Sequence, residues 1–391
     1  MKKSIFISTY FMEIGGVERS LIGLLQNIDY TRYQVDLFVW QLSGPFLKYI
    51  PQEVNVLKEN RRFAAFAKPL RTILFSRDLL IGLARIYAHF LNKRKCIFNN
   101  ASIFTYIVSC MKPFLPKISF KKYDLAISFI EPHAWLYDQI FAKHKVAWIH
   151  TDYTSVGLDV DFELPIWNRY DHVVAISDAA KEAFLKRFPS LSDKVCVIEN
   201  IISKKILESQ ALDCIELTKG EEITFCSVGR FSYAKNFDNI PNITRRILDA
   251  GYDIKWYIIG FGADENLIKE KIREESVDNN VIILGKKENP YPYIKFCDFY
   301  IQPSRYEGKS VAVREAQILK KPVVITNYPT ASGQIKHGLD GYIVPLDNEG
   351  CAQGIIEFLK NKSLQEEIIT SLKQNDYTNQ IEINNFYNLI D

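Results

Sequence analysis

A chain of 391 residues is too long for one ordinary hydrophobic core and suits two α/β domains. Apolar residues make up 47% and charged residues 24%, which excludes a disordered chain, and a net charge of only +3 gives no reason to expect a nucleic-acid partner. The seven cysteines are odd in number and show no CxxC spacing, so they read as reduced, buried cytosolic residues and not as a disulfide framework.

The N-terminal stretch Lys2-Lys3-Ser4-Ile5-Phe6-Ile7 reads as a strand and lacks the apolar run and cleavage site of a signal peptide. Short apolar runs then recur at Ile5–Ser8, Val35–Trp40, Leu125–Phe129, Val146–Ile149 and Val173–Ile176. A second set follows at Ile223–Val228, Lys255–Ile259, Val281–Leu284, Phe299–Gln302 and Val323–Thr326. Several are apolar at consecutive positions, as expected of parallel strands buried on both faces, and amphipathic helical stretches separate them. The pattern predicts βαβ units in two doubly wound sheets. An N-terminal domain is expected over 1–200 and a C-terminal one over 201–372, joined through the polar, strandless stretch Ile201–Gly220. A tail over 373–391, with Phe386, Tyr387, Leu389 and Ile390, is expected to pack back on the N-terminal domain.

Charge is unevenly spread. Between Arg61 and Lys122 stand Arg61, Arg62, Lys68, Arg71, Arg77, Arg85, Lys93, Arg94, Lys95, Lys112, Lys117, Lys121 and Lys122 against one acid, Asp78, so this segment carries +12 and the rest of the chain −9. Such asymmetry points to a surface that meets something anionic. Within it, residues 71–93 read as a helix with a narrow stripe of Asp78, Gly82, Arg85, His89 and Asn92 among Leu79, Leu80, Ile81, Leu83, Ile86, Tyr87, Phe90 and Leu91. Such a helix either packs in the ordinary way or lies at an anionic lipid surface; the concentration of basic residues favours the second. No run of about 18 uncharged apolar residues is present, so no membrane-spanning helix is expected.

The chemistry concentrates at Gln302-Pro303-Ser304-Arg305-Tyr306-Glu307-Gly308-Lys309-Ser310-Val311, where a buried strand ends and a helix begins near Lys309 or Ser310. Free N–H groups and the partial positive charge at a helix N-terminus suit a phosphate, and Gly308 lets the backbone approach it. Glu307 stands before the helix and Glu315 about two turns into it. Glu307 could orient a sugar and Glu315 a ribose diol, or they are a capping acid and a solvated surface residue. Arg230 and Lys235, past the end of Ile223–Val228, are suited to a diphosphate, one as a planar fork and the other as a point charge. Gly15 and Gly16 open a helix after the first strand, and His150 ends Val146–Ile149, where open α/β sheets line their clefts.

These motifs in this order resemble glycosyltransferase family 4 of the GT-B fold. Pro303-Ser304 precedes Glu307-x7-Glu315, and Lys321-Pro322-Val323-Val324 follows. Gly15-Gly16-Val17-Glu18, Ser227-Val228-Gly229-Arg230-Phe231, Lys235-Asn236, Ile258-Ile259-Gly260-Phe261-Gly262, Val281-Ile282-Ile283-Leu284-Gly285 and His337-Gly338-Leu339-Asp340-Gly341 also match. The resemblance implies two Rossmann-like domains with a central cleft and retaining, metal-independent transfer of a hexose to a hydroxyl. The expected donor is a nucleotide diphosphate sugar, a UDP-sugar first. It further implies that Glu307, His150, Arg230 and Lys235 serve catalysis, and that Gly15, Gly16, Gly308, Lys309, Ser310, Val311 and Glu315 hold the donor with Arg230 and Lys235. The basic segment adds the expectation of a lipid-linked saccharide acceptor of a surface polysaccharide pathway, at the inner face of the cell membrane.

Two departures stand out. Where some relatives place a functional histidine after the preceding strand this chain has Ile130, with His133 three further on. Where many have Gly-Phe-Gly after the glutamate, it has Gly308-Lys309-Ser310-Val311. The same architecture also admits a nucleotide-sugar 2-epimerase or a non-catalytic GT-B partner subunit. Gly260-Phe261-Gly262 is a weak dinucleotide fingerprint, because Glu265 stands at its third glycine. Asp159-Val160-Asp161 lies outside the position of a metal-binding DxD.

Overall fold

The computed structural model describes residues 2–13, 15–95, 97, 101–151, 153, 156–307 and 310–390. The chain divides into two units, Met1–Ser203 with Asn379–Asp391, and Lys204–Thr378.

In the N-terminal unit β1 (Lys3–Thr9), β2 (Tyr33–Val39), β3 (Asn55–Val56), β4 (Lys122–Ser128), β5 (Phe141–Ile149), β6 (His172–Ala175) and β7 (Val195–Val197) form one parallel sheet. Its order is β3-β2-β1-β4-β5-β6-β7, so the winding reverses between β1 and β4. Ile5, Phe6 and Ile7 are buried on consecutive positions, as a sheet covered on both faces requires. Trp40, Phe38, Phe63 and Trp135 pack edge to face beside the sheet, and Trp40 Nε1 donates to Ser8 Oγ on β1 at 3.0 Å.

The C-terminal unit repeats the plan. β8 (Ile223–Val228), β9 (Ile254–Ile259), β10 (Val281–Gly285), β11 (Phe299–Gln302), β12 (Val323–Thr326) and β13 (Tyr342–Val344) are parallel in the order β10-β9-β8-β11-β12-β13, reversing between β8 and β11. Trp256 Nε1 on β9 donates to Ser227 Oγ on β8 at 2.9 Å, the counterpart of the Trp40–Ser8 bond.

The polar stretch Ile201–Gly220 is not simply a connection. It carries the helix Lys204–Gln210, whose Leu207 is buried, and Asn289 Nδ2 donates to the Gln210 carbonyl at 2.7 Å. Residues 379–390 return to the N-terminal unit. Phe386, Leu389 and Ile390 are buried there, Tyr387 stacks on Tyr33 at 4.6 Å, and its hydroxyl accepts from Asp29 N at 2.8 Å. Six cysteines are described, all free. Three are buried and Cys214 is exposed, which corrects the expectation that all are buried.

Candidate active site on the C-terminal unit

Ligands of open α/β sheets sit outside the carboxyl ends of the strands, where the winding reverses. In the C-terminal unit that point lies between β8 and β11, and the loops leaving these two strands are Gly229–Asn239 and Pro303–Glu307. They carry Arg230, Lys235 and Glu307.

The loops are stapled together. Asn236, in the left-handed region at φ 60°, donates through Nδ2 to the Pro303 carbonyl at 2.8 Å. Arg305 makes a two-pronged ion pair with Asp238 (2.9 and 2.7 Å), donates to the Tyr233 carbonyl at 2.7 Å, and lies 4.2 Å from the Tyr233 ring centre. Lys235 Nζ donates to Glu307 Oε1 at 2.5 Å. Behind this pair runs a buried relay: Tyr300 donates to Gln302 Oε1 (2.7 Å), Gln302 Nε2 to Ser304 Oγ (2.9 Å), and Ser304 Oγ to Glu307 Oε1 (2.7 Å). Tyr300, Gln302 and Ser304 are fully buried, so each link is held in a low-dielectric interior and fixes the next. Arg230, on the same loop as Lys235, is exposed and makes no hydrogen bond or ion pair among the described residues.

Glu315 is buried, not a solvated surface residue, and Oε1 accepts from Tyr291 at 2.6 Å. Ser310 precedes the helix Val311–Ile318, but its N–H is already held by Gln334 Oε1 (3.0 Å), and Gln334 Nε2 returns a bond to the Ser310 carbonyl (2.6 Å). The exposed Val311 opens the first turn, whose N–H groups have no partner within the helix. Gly308 and Lys309 lie outside the described residues.

The look-alike motifs receive structural jobs. A Cβ on Gly260 would stand 1.8 Å from the Gly229 carbonyl oxygen, and one on Gly262 would stand 2.2 Å from that of Phe231, so these glycines seat the loop after β9 against the loop after β8. Asp159 caps the helix Val160–Trp167 by accepting from Phe162 N at 3.3 Å, and it also accepts from Tyr106 and pairs with Lys95.

In the N-terminal unit Gly15 ends the loop after β1 and Gly16 begins the helix Gly16–Asn27. The buried Glu18 carboxylate folds over Gly15, where a Cβ would stand 2.2 Å from Oε2, while Gly16 faces open space. A side chain of the protein thus already occupies part of the helix N-terminus where a phosphate was expected. His150 follows β5 with Nε2 closed off and without a partner among the described residues, and burial holds its imidazole down at about 3. His133 is buried against Tyr10 and Trp40, also at about 3 through burial, with neither ring nitrogen partnered among the described residues.

Sequence reasoning missed Glu131. It follows β4 at the reversal of the N-terminal sheet, has φ 58°, and accepts from Tyr10 at 3.5 Å. Burial first, and the Glu163 charge second, push its carboxyl up to about 8, so it is protonated at neutral pH. The signal available was an acid between an apolar strand and Pro132. Because the folded value exceeds the unfolded one, Glu131 contributes stability that is full below about pH 4.5 and lost as pH rises through 8. His133 runs the other way: its contribution is full above 6.5 and lost as pH falls toward 3. Glu131→Gln is therefore expected to flatten the melting temperature between pH 5 and 8. His133→Phe, which keeps the ring and breaks no hydrogen bond, should raise stability by ~2 kcal/mol at pH 5. Melting curves against pH check both; parallel curves for wild type and variants would refute the assignments.

Residues 210–375 match the family described as glycosyl transferases group 1. Among curated relatives, a Campylobacter jejuni N-acetylgalactosamine-N,N'-diacetylbacillosaminyl-diphospho-undecaprenol 4-alpha-N-acetylgalactosaminyltransferase is 27% identical over 205 residues, 51% of this chain and 54% of that one. The Staphylococcus aureus capsular polysaccharide biosynthesis glycosyltransferase CapM is 26% identical over 231 residues, 55% of this chain and 61% of the other. The chain thus spans little more than half the length of these relatives. Among solved structures, Anabaena HepE in complex with UDP and glucose superposes with a TM-score of 0.65 at 15% identity, covering 99% of this chain and 98% of that one. Residues 210–375 thus carry the likeness to the glycosyl transferases group 1 family, and the two parallel sheets match the GT-B fold.

Proposed function

We propose that this protein is a retaining glycosyltransferase that moves a hexose from a nucleotide diphosphate sugar to a hydroxyl of a lipid-linked saccharide, working peripherally at the inner face of a bacterial membrane. The observation that carries the reading is the stapled pair of loops at the β8/β11 reversal, with Lys235 and Glu307 braced from behind and an exposed Arg230 on the loop that carries Lys235. A donor diphosphate brings about two negative charges, and Arg230 and Lys235 meet them without a metal. In the transfer the bond between the anomeric carbon and the diphosphate oxygen breaks, the acceptor oxygen bonds to that carbon on the same face, and the acceptor proton passes to the leaving phosphate. The fixed positive charge is worth most as negative charge grows on the leaving group. Glu315, held by Tyr291, is assigned to the ribose. Uridine is the base to test first, since the structurally similar Anabaena protein holds UDP.

The lipid side of the reading rests on the basic segment, whose charge is partly spent inside the fold. Asp78 pairs with Arg61, and Lys95, Lys112 and Lys121 pair with Asp159, Asp138 and Asp36. Among the described residues no helix is long and apolar enough to cross a membrane.

A thermal-shift panel of nucleotide diphosphates and nucleotide sugars tests the donor site. One nucleotide is expected to raise the melting temperature, since a ligand at a hundred times its dissociation constant adds ~2.7 kcal/mol, and Arg230→Ala should abolish the shift. No shift with any nucleotide would remove the donor assignment.

A further inference from the structure

We propose that the helix Leu79–Arg94 lies flat in an anionic lipid surface with its outward apolar face inserted below the headgroups, an inference that rests on the membrane-surface reading above and gives it a residue-level contact. The helix is turned opposite to an ordinary amphipathic helix. Except for the exposed His89 and the basic residues at its end, its small and polar residues face the protein. Gly82 lies close under Leu74, where a Cβ would stand 2.8 Å from Cδ2. Asp78 is buried against Arg61 (2.8 Å), and Arg85 donates to the Ala65 and Lys68 carbonyls at 2.8 and 2.6 Å. Ala84 and Ala88 complete the buried stripe.

Apart from the buried Ile81 and the half-buried Leu91, the large apolar residues face outward. Leu79, Leu80, Leu83, Ile86, Tyr87 and Phe90 recur three or four residues apart around one pair of neighbours at each turn, and each is between 43% and 57% exposed. Phe75, just before the helix, is 93% exposed. A soluble surface scatters such residues singly; one continuous face of them marks a contact with something apolar. Its surroundings identify that partner. Arg71 and Arg77 stand exposed before the helix, and Lys93 and Arg94 stand exposed at its end, so the apolar face is bracketed by positive charge with no acid except the buried Asp78. An apolar face with basic ends complements the anionic headgroups and acyl chains of a bilayer. Sixteen residues run about 24 Å, and the helix is not apolar enough to span, which fits an in-plane position.

Full-length protein co-sedimented with phosphatidylglycerol-containing vesicles, at low and high salt, tests this. Leu80→Ser, Leu83→Ser and Phe90→Ser combined replace only exposed side chains and should leave the melting temperature and the nucleotide shift unchanged while weakening vesicle binding at least about tenfold at both salts. Arg71→Gln, Arg77→Gln and Arg94→Gln combined should weaken it about fivefold per charge at low salt and much less at high salt. Leu83→Trp should show a blue-shifted emission that brominated lipids quench. Wild-type binding by the apolar variant, or an unquenched Trp, would overturn insertion and leave electrostatic adsorption. A dimer in solution that the apolar variant dissolves would assign the face to a second copy. No vesicle binding by the wild type would overturn both insertion and the membrane reading, while the nucleotide shift judges the donor site separately.

Discussion

Lys235→Ala and Glu307→Gln are each expected to lower kcat by about a hundred- to a thousandfold with the nucleotide sugar that the thermal-shift panel identifies, at a smaller change in KM. The two side chains act as one unit. Lys235 loses solvent in binding Glu307, and the Tyr300–Gln302–Ser304 relay holds the shared oxygen at a fixed position. Removing the lysine takes away the point charge proposed to meet the leaving diphosphate and strips the Glu307 carboxylate of its cation. Removing the carboxylate charge frees the lysine to wander. The double variant should therefore be little worse than the worse single one, because the second change acts on a unit already dismantled. Steady-state rates for the three variants check this. Full activity of either single variant would take that side chain out of the catalytic machinery.

Gly260→Ala is expected to cost the C-terminal unit ~3 kcal/mol or more, seen as a fall of ~10 °C in its unfolding transition. The added Cβ would sit 1.8 Å from the Gly229 carbonyl oxygen, a backbone atom that cannot swing away, and the residue is held at φ 152°. Gly229 N bonds to the Ile259 carbonyl and Gly260 N to that of Gly285, so the strand ends of β8, β9 and β10 would have to part together. Gly285→Ala is the control: φ is 71°, but no atom lies within 4 Å of its Cβ position, so only backbone strain of ~1 kcal/mol is expected. Equal losses for the two would show that conformation, not the close approach, sets the cost. Because the displaced loop carries Arg230 and Lys235, Gly260→Ala should also lose the nucleotide shift below its melting point.

The ten strands expected from apolar runs are all present, since a strand buried on both faces writes itself into consecutive Val, Ile and Phe. The three that escaped, β3, β7 and β13, are two or three residues long at or near sheet edges, and β3 has both residues exposed, so no such run marks them. The stretch 71–93 was legible as helical but not as two helices, Leu70–Leu74 and Leu79–Arg94, and its facing was not legible at all. Periodicity tells which residues share a face; only the packing of Gly82 and Asp78 tells which face is inward. At the site, Lys235 and Glu307 were legible because each follows a recognisable strand. Their supports were not. Arg305 and Asp238 are 67 positions apart and Tyr291 is 24 positions from Glu315, and partners at such distances leave no local trace.

The return of residues 379–390 to the first unit has a consequence for synthesis. Phe386, Tyr387 and Ile390 complete packing around Tyr33 and Trp148, yet they leave the ribosome only after all of Lys204–Thr378. Vectorial folding, in which the first domain closes before the next emerges, is thus interrupted here. The early unit must wait with part of its apolar surface uncovered, so a nascent chain arrested anywhere in the second unit is an exposed substrate for chaperones and proteases, and stacking of Tyr387 on the Tyr33 ring reports that the second unit has been synthesised.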